Sequence, residues 1–149
     1  MSDASATVVP ALVLKRVFDA PRERVYEAWT NPKTAARFLG PGKVKATEIE
    51  MDVRPGGSYR IVMLLEDGST MPVRGVYREV RPPQRLAMTW TWEEDKPEEE
   101  HETFLTLEFN DLNGKTELVL THDKFAKAES RENHAEGWNA ILDALPSVL

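Results

Sequence analysis

The sequence contains no cysteine. Disulfides, thiolate catalysis and cysteine-ligated zinc are therefore excluded, and a reducing, cytoplasmic location is the expectation. Long apolar runs are missing as well. Nothing approaches the roughly 20 apolar residues that cross a bilayer, so no membrane insertion is expected. Residues 1–10 lack the basic start and apolar middle of a signal peptide. Basic charge is scarce: 19 Lys and Arg stand against 25 Asp and Glu, a net charge of −6. A nucleic-acid partner would need a concentrated basic surface, and none is evident. The H-E-x-x-H, G-x-x-x-x-G-K-[ST], G-x-G-x-x-G and G-x-S-x-G signatures are all absent. Glu100-His101-Glu102 has metal-binding residue types, but strand alternation turns His101 away from both glutamates. No metal and no cofactor is expected.

What is present is one domain's worth of patterned sequence. At 149 residues the chain is about one average domain long and can bury a core without staples. Residues 1–11 read as a flexible N-terminal segment and 12–149 as a single domain. The stretch 12–19 is β-branched and apolar enough for a first strand. Pro21 then suits a first helical turn, and Val25, Ala28 and Trp29 form the stripe of a short helix. Asn31-Pro32 restarts the pattern as N-cap and first helical residue, and Gly40-Pro41-Gly42 ends it.

From there the period becomes two. Ile49, Met51 and Val53 alternate with acids, and Tyr59, Ile61, Met63 and Leu65 follow. The stretches 73–80, 86–92, 103–109 and 117–121 complete a six-strand meander. Leu86, Met88, Trp90 and Trp92 share one face, opposite Ala87, Thr89 and Thr91. Glu93, Glu94, Asp95, Glu98, Glu99, Glu100 and Glu102 crowd one connection, which reads as a solvated hairpin loop. The C-terminal stretch returns to helical spacing, with Ser130 as the expected N-cap, His134, Trp138, Ile141, Leu142 and Leu145 as its stripe, and Pro146 as its stop. The fold class is α+β: a curved seven-stranded antiparallel sheet around a long C-terminal helix, with two short helices after strand 1.

Within that order stand Arg16-Val17-Phe18-Asp19-Ala20-Pro21, Ala28-Trp29-Thr30-Asn31-Pro32 and Asp52-Val53-Arg54-Pro55-Gly56-Gly57. The stretch 75–83 (GVYREVRPP), Thr89-Trp90, His122 and Gly137-Trp138 follow. Together they resemble the activator-of-heat-shock-protein-90-ATPase homologue-like family of the SRPBCC (START/Bet v 1-like) superfamily, over about residues 12–149. The resemblance implies a helix-grip fold with an apolar cavity between the concave sheet and the last helix. It does not imply one function, because relatives include lipid and hormone carriers, aromatic cyclases and binding modules. The cochaperones that name the family have a separate N-terminal domain not found in this sequence, so their activity is not expected here. Where many bacterial relatives carry an aromatic pair, this chain has Phe38-Leu39-Gly40-Pro41, which is expected to enlarge or reshape the cavity mouth.

The candidate cavity residues are Arg16, Trp29, Phe38, Met63, Tyr77, Met88, Trp90, Trp92, His122, Trp138, Ile141 and Leu142. Tryptophan and methionine offer large, polarisable walls with little demand on ligand shape. His122 ends the last strand as the foremost polar candidate. Arg16 shares a face with Leu14 and Phe18, so it is expected to pair with Glu48, Glu50, Asp52 or a ligand acid. His134 reads as a surface or rim group. Gly137 costs about 1 kcal/mol of helix propensity relative to alanine, which suggests close approach of helix to strand.

The leading functional reading is binding of a small apolar or aromatic molecule, with Arg16 or His122 fixing its polar end. The alternative is a cyclase- or hydratase-like lyase acting on a bulky aromatic or polyketide-like substrate. It needs His122, Arg16 or Tyr77 within mutual hydrogen-bond reach. A third reading is a module that regulates a chaperone or other partner through the acidic loop. Trp-rich edges also favour association, so a homodimer joins the partners to test.

Overall fold

The computed structural model describes residues 8–40 and 44–149. Strand β1 (Leu12–Phe18) leads into helix α1 (Arg22–Thr30) and helix α2 (Pro32–Phe38). Six strands follow: β2 (Val44–Met51), β3 (Ser58–Leu65), β4 (Thr70–Arg81), β5 (Arg85–Trp92), β6 (Thr103–Leu112) and β7 (Lys115–Asp123). Helix α3 (Ala128–Ala144) and a 3₁₀ turn (Leu145–Val148) close the chain. The strands form one antiparallel sheet in the order β1-β7-β6-β5-β4-β3-β2. Every meander strand thus pairs with its sequence neighbour, and β1 closes the β7 edge. This is the helix-grip architecture.

Local chemistry accounts for the boundaries. Asn31 Oδ1 accepts the Lys33 amide at 3.0 Å, with Pro32 as first helical residue, so α2 starts where a cap and a fixed φ coincide. Helix α3 begins at Ala128, two residues before the expected Ser130 cap, and has no side-chain cap. Ser130 lies inside the first turn instead, where its carbonyl takes a hydrogen bond from the His134 ring at 2.7 Å. Of the segment expected to be flexible, residues 1–7 lie outside the described residues. The carbonyls of Pro10 and Ala11 accept from the Arg131 guanidinium at 3.0 and 3.3 Å.

The concave face and the three helices enclose the core, with Val25, Phe38, Tyr77, Leu107, Leu120 and Leu142 almost wholly buried. Near its middle, the β4–β5 ladder is interrupted. A Cβ at Gly75 would meet the Thr89 carbonyl at 2.0 Å and the Tyr59 hydroxyl at 2.5 Å, so only glycine fits. The Tyr59 hydroxyl crosses β4 there to donate to the Thr89 carbonyl, while Thr89 Oγ1 accepts the Val76 amide at 2.9 Å. Side chain and backbone thereby satisfy what the ladder leaves unpaired. Thr89 is buried at this break, as are its same-face neighbours Ala87 and Thr91.

The acidic connection is less free than a solvated loop. Arg60 holds Glu93 through two 2.9 Å bonds, and Arg74 pairs with Glu100. The convex faces of β3 and β4 thus tether both ends of the loop.

Candidate functional site

The interior of the grip is filled at one end and open at the other. At the filled end Trp29 meets Phe38 edge-on at 5.0 Å, and Tyr59 leans on Tyr77 at 5.3 Å. The void left among Trp29, Leu39, Tyr77, Met88 and Trp90 is only about 20 Å³. At the open end, between α3 and the β3–β5 face, lies a cavity of about 300 Å³. Its floor is Met63, Trp90, Trp138 and Ile141, all buried. Met71, Trp92 and His134 form part of the wall, and the exposed Asn133, Gly137 and Ala140 of α3 form the rim.

The cavity's position on α3 follows from helical spacing: 133, 134, 137, 140 and 141 share one face. Gly137 sits in the middle of that face, and a Cβ built there meets nothing within 4 Å. Close helix–strand approach is therefore not the reason for this glycine. What glycine leaves at that position is open space beside the cavity.

Two tryptophan–histidine pairs brace this end. An indole N–H only donates, so each contact fixes a histidine tautomer. Trp138 Nε1 donates to His122 Nδ1 at 3.0 Å, so the His122 proton sits on Nε2 and goes to Thr103 Oγ1 at 2.7 Å. Thr103 in turn donates to the Trp90 carbonyl at 2.8 Å. Trp92 Nε1 donates to His134 Nε2 at 2.8 Å, leaving the His134 proton on Nδ1 for the Ser130 carbonyl. The two imidazoles stand 4.7 Å apart, edge to face, with Phe125 against both. Burial, with His134 adding to it, holds the His122 pKa down at about 3, and burial lowers that of His134 too. Both rings are neutral hydrogen-bonding links.

Of the residues expected to line a cavity, Met63, Trp90, Trp92, Trp138 and Ile141 do so. Trp29, Tyr77 and Met88 border only the small void, because the aromatic cluster fills that end. Phe38 and Leu142 are packed into the core. His122 is completely buried and both its nitrogens are engaged, so it is not a polar group offered to a ligand. Arg16 faces α3 as strand parity requires, but its partners are Asp143 at 2.7 Å and Asn139 at 3.0 Å. The acids of β2 lie on the opposite sheet edge, out of its reach. Phe38-Leu39 lies in the core rather than at the mouth, Gly40 borders the cavity, and Pro41 is outside the described residues.

Sequence reasoning missed Met71, Asn133 and Gly137. Gly137 is three residues beyond His134 and four beyond Asn133, so the spacing that flagged the stripe also reaches them. Met71 carried no such signal, lying two residues before the expected start of its strand at Val73. Among the described residues, no group of three or more His, Asp or Glu could hold a metal ion. Among them, too, no helix is long and apolar enough to cross a membrane.

The comparisons with known proteins agree with this architecture. The family described as Activator of Hsp90 ATPase homolog 1-like protein matches residues 19–149. The chain belongs to that family. Its helix-grip architecture is a ligand-binding fold in general. The solved structure of protein CV1439 from Chromobacterium violaceum is 27% identical, with a TM-score of 0.81 over 93% of this chain and 95% of that one. CalU16 from Micromonospora echinospora is 25% identical, with a TM-score of 0.69 over 93% of this chain and 74% of that one. An AHSA1 protein from Silicibacter pomeroyi, at 22% identity and a TM-score of 0.78 over 93% and 96% of the two chains, shares the fold. No curated protein matches the chain.

Proposed function

We propose that this family member binds a small apolar or aromatic molecule in the cavity between α3 and the β3–β5 face. The observation that carries the reading is Gly137. A glycine inside a helix costs about 1 kcal/mol relative to alanine, and no packing contact requires one here. Its position on the cavity rim gives it a use: it keeps the entrance clear. The walls suit such a ligand, since methionine and tryptophan adapt to shape while indole adds area. A dry apolar cavity of roughly 150 Å³ holds benzene. About 300 Å³ therefore suits a two-ring molecule.

The lyase reading gains nothing from the geometry. His122 is committed to Trp138 and Thr103, Arg16 to Asp143 and Asn139, and Tyr77 borders only the small void. A general base must reach the proton it removes, and none of the three lines the cavity.

The test is a thermal-shift series with two-ring hydrocarbons and ketones on the native protein and on Gly137→Phe. A ligand at a hundred times its Kd adds about 2.7 kcal/mol, which raises the Tm of a domain this size by roughly 5–10 °C. The expected result is a shift for the native protein and none for a folded Gly137→Phe, whose ring occupies the cavity. Equal shifts in both proteins would place the ligand elsewhere and overturn the reading.

A further inference from the structure

A second hollow of about 250 Å³ lies among the acidic loop, the β7–α3 connection and the first turn of α3. Among the described residues, its lining and that of the first cavity share only Trp92 and His134. These two are hydrogen-bonded to each other at 2.8 Å, so their contact is the partition between the two spaces. The spaces differ in character. Methionine, isoleucine and indole wall the first. Thr103, Phe125 and Ser130 line the second, with the exposed Glu94, Glu99 and Lys127 at its edge.

The two tryptophan–histidine pairs are not equally fixed. Trp138 and His122 are 2% and 0% exposed, and Thr103 holds the far side of the His122 ring. Trp92 and His134 are half-buried, with open space to either side. Separating them costs one net neutral hydrogen bond, roughly a factor of ten in an equilibrium. It would also free His134 Nε2 as an acceptor, because the His134 proton stays on Nδ1 with the Ser130 carbonyl.

From this geometry we infer that the Trp92–His134 bond is a latch between two chambers of one site, and that the site takes an elongated amphipathic molecule. Its apolar end fills the first chamber, and an uncharged, hydroxyl-bearing end reaches past the open latch into the second. The inference rests on the binding reading above and extends it to the ligand's length and polarity. A hydroxyl at the junction donates to His134 Nε2 in place of the indole, which returns the bond that opening removes. Carboxylates and an ammonium both stand at the edge of the second chamber, so a charge of either sign meets a repelling group there. A neutral polar end meets none.

The experiment compares naphthalene with 4-(2-naphthyl)butan-1-ol, which carries the same two rings and adds a tail ending in a hydroxyl. Affinities are measured by calorimetry on the native protein and on Ala126→Phe, whose added ring occupies the second chamber only. In the native protein, NMR follows the scalar coupling across the N–H···N bond from Trp92 Nε1 to His134 Nε2. The expected result is that the coupling persists with naphthalene and vanishes with the alcohol. The alcohol should bind roughly tenfold tighter, because burial of four methylenes outweighs one hydrogen bond. In Ala126→Phe that advantage should disappear while naphthalene binds as before. Should this variant not fold, the coupling in the native protein decides alone. A coupling that survives saturation with the alcohol, or an advantage that Ala126→Phe retains, would overturn the inference and leave the cavity reading standing. Binding of neither probe, with Gly137→Phe behaving as the native protein, would remove the cavity reading itself.

Discussion

The two ends of the grip are built from the same residue types and behave oppositely. At the filled end, Trp29, Phe38, Tyr59 and Tyr77 interlock until only about 20 Å³ is left. At the open end, Trp90, Trp92 and Trp138 stand around about 300 Å³. Aromatic content therefore does not decide whether such a fold is packed or hollow. The difference lies in what stands in front of the rings. Phe38 and Trp29 face each other, which closes space. Trp92 and Trp138 meet Trp90 at 5.7 and 5.0 Å and are tied by hydrogen bonds to histidines, while the exposed Asn133 and Gly137 of α3 leave the volume in front of them open.

Adjacent residues of α3 give the sharpest way to break this comparison. Leu142 is packed in the core at 1% exposed, whereas Ile141 borders the cavity. Leu142→Ala should destabilise by about 3–5 kcal/mol, because the removed atoms leave a hole in close-packed surroundings. Ile141→Ala should cost about half as much, because one side of that residue already faces open space. Denaturant unfolding of both variants measures the difference. Equal costs would show that the open end is as tightly packed as the filled one.

The histidine pairs set a pH dependence. His122 titrates near 6.5 when unfolded, and burial holds it at about 3 in the folded protein. A base whose folded pKa is depressed takes up its proton more readily in the unfolded chain. Its contribution is therefore fully present above pH 6.5 and is lost as the pH falls from there toward 3. By pH 5 that loss amounts to about 2 kcal/mol from this residue. Protonation would also set an N–H on Nδ1 against the Trp138 N–H, breaking the brace. Unfolding free energies at pH 7 and pH 5 should therefore fall by about 2 kcal/mol more in the native protein than in His122→Leu. A matching fall in the variant would move the acid sensitivity to other groups.

How much of this was legible beforehand differs between the same two ends. Strand order, the helix spacing and the inward face of β5 depend on period and turn chemistry, which are local, and they were readable from the sequence. So was the inward parity of Arg16, although its partner Asp143 lies 127 residues further on and no local rule points to it. His122 looked like a site residue because it is a polar group on an apolar face. That both its nitrogens are answered depends on Trp138 and Thr103 converging from two other elements, which no spacing reports. The break in the ladder at Gly75 was not legible either, because it depends on a tyrosine from a third strand.

Gly137 is the residue on which the comparison turns with the smallest effect. Its spacing in the helix is legible, yet close packing and open space call for the same residue type, and only the surroundings separate them. A Cβ at this position meets nothing within 4 Å, so alanine fits without displacement. Gly137→Ala should therefore raise stability by up to about 1 kcal/mol, the full helix-propensity difference, and raise Tm by about 3 °C. Had the glycine served close packing, the same change would destabilise. A stabilised alanine variant that binds its two-ring probe more weakly than the native protein would show that this position trades helix stability for access. Unchanged binding would shift the width of the entrance to its neighbours Asn133 and Ala140, which share the rim.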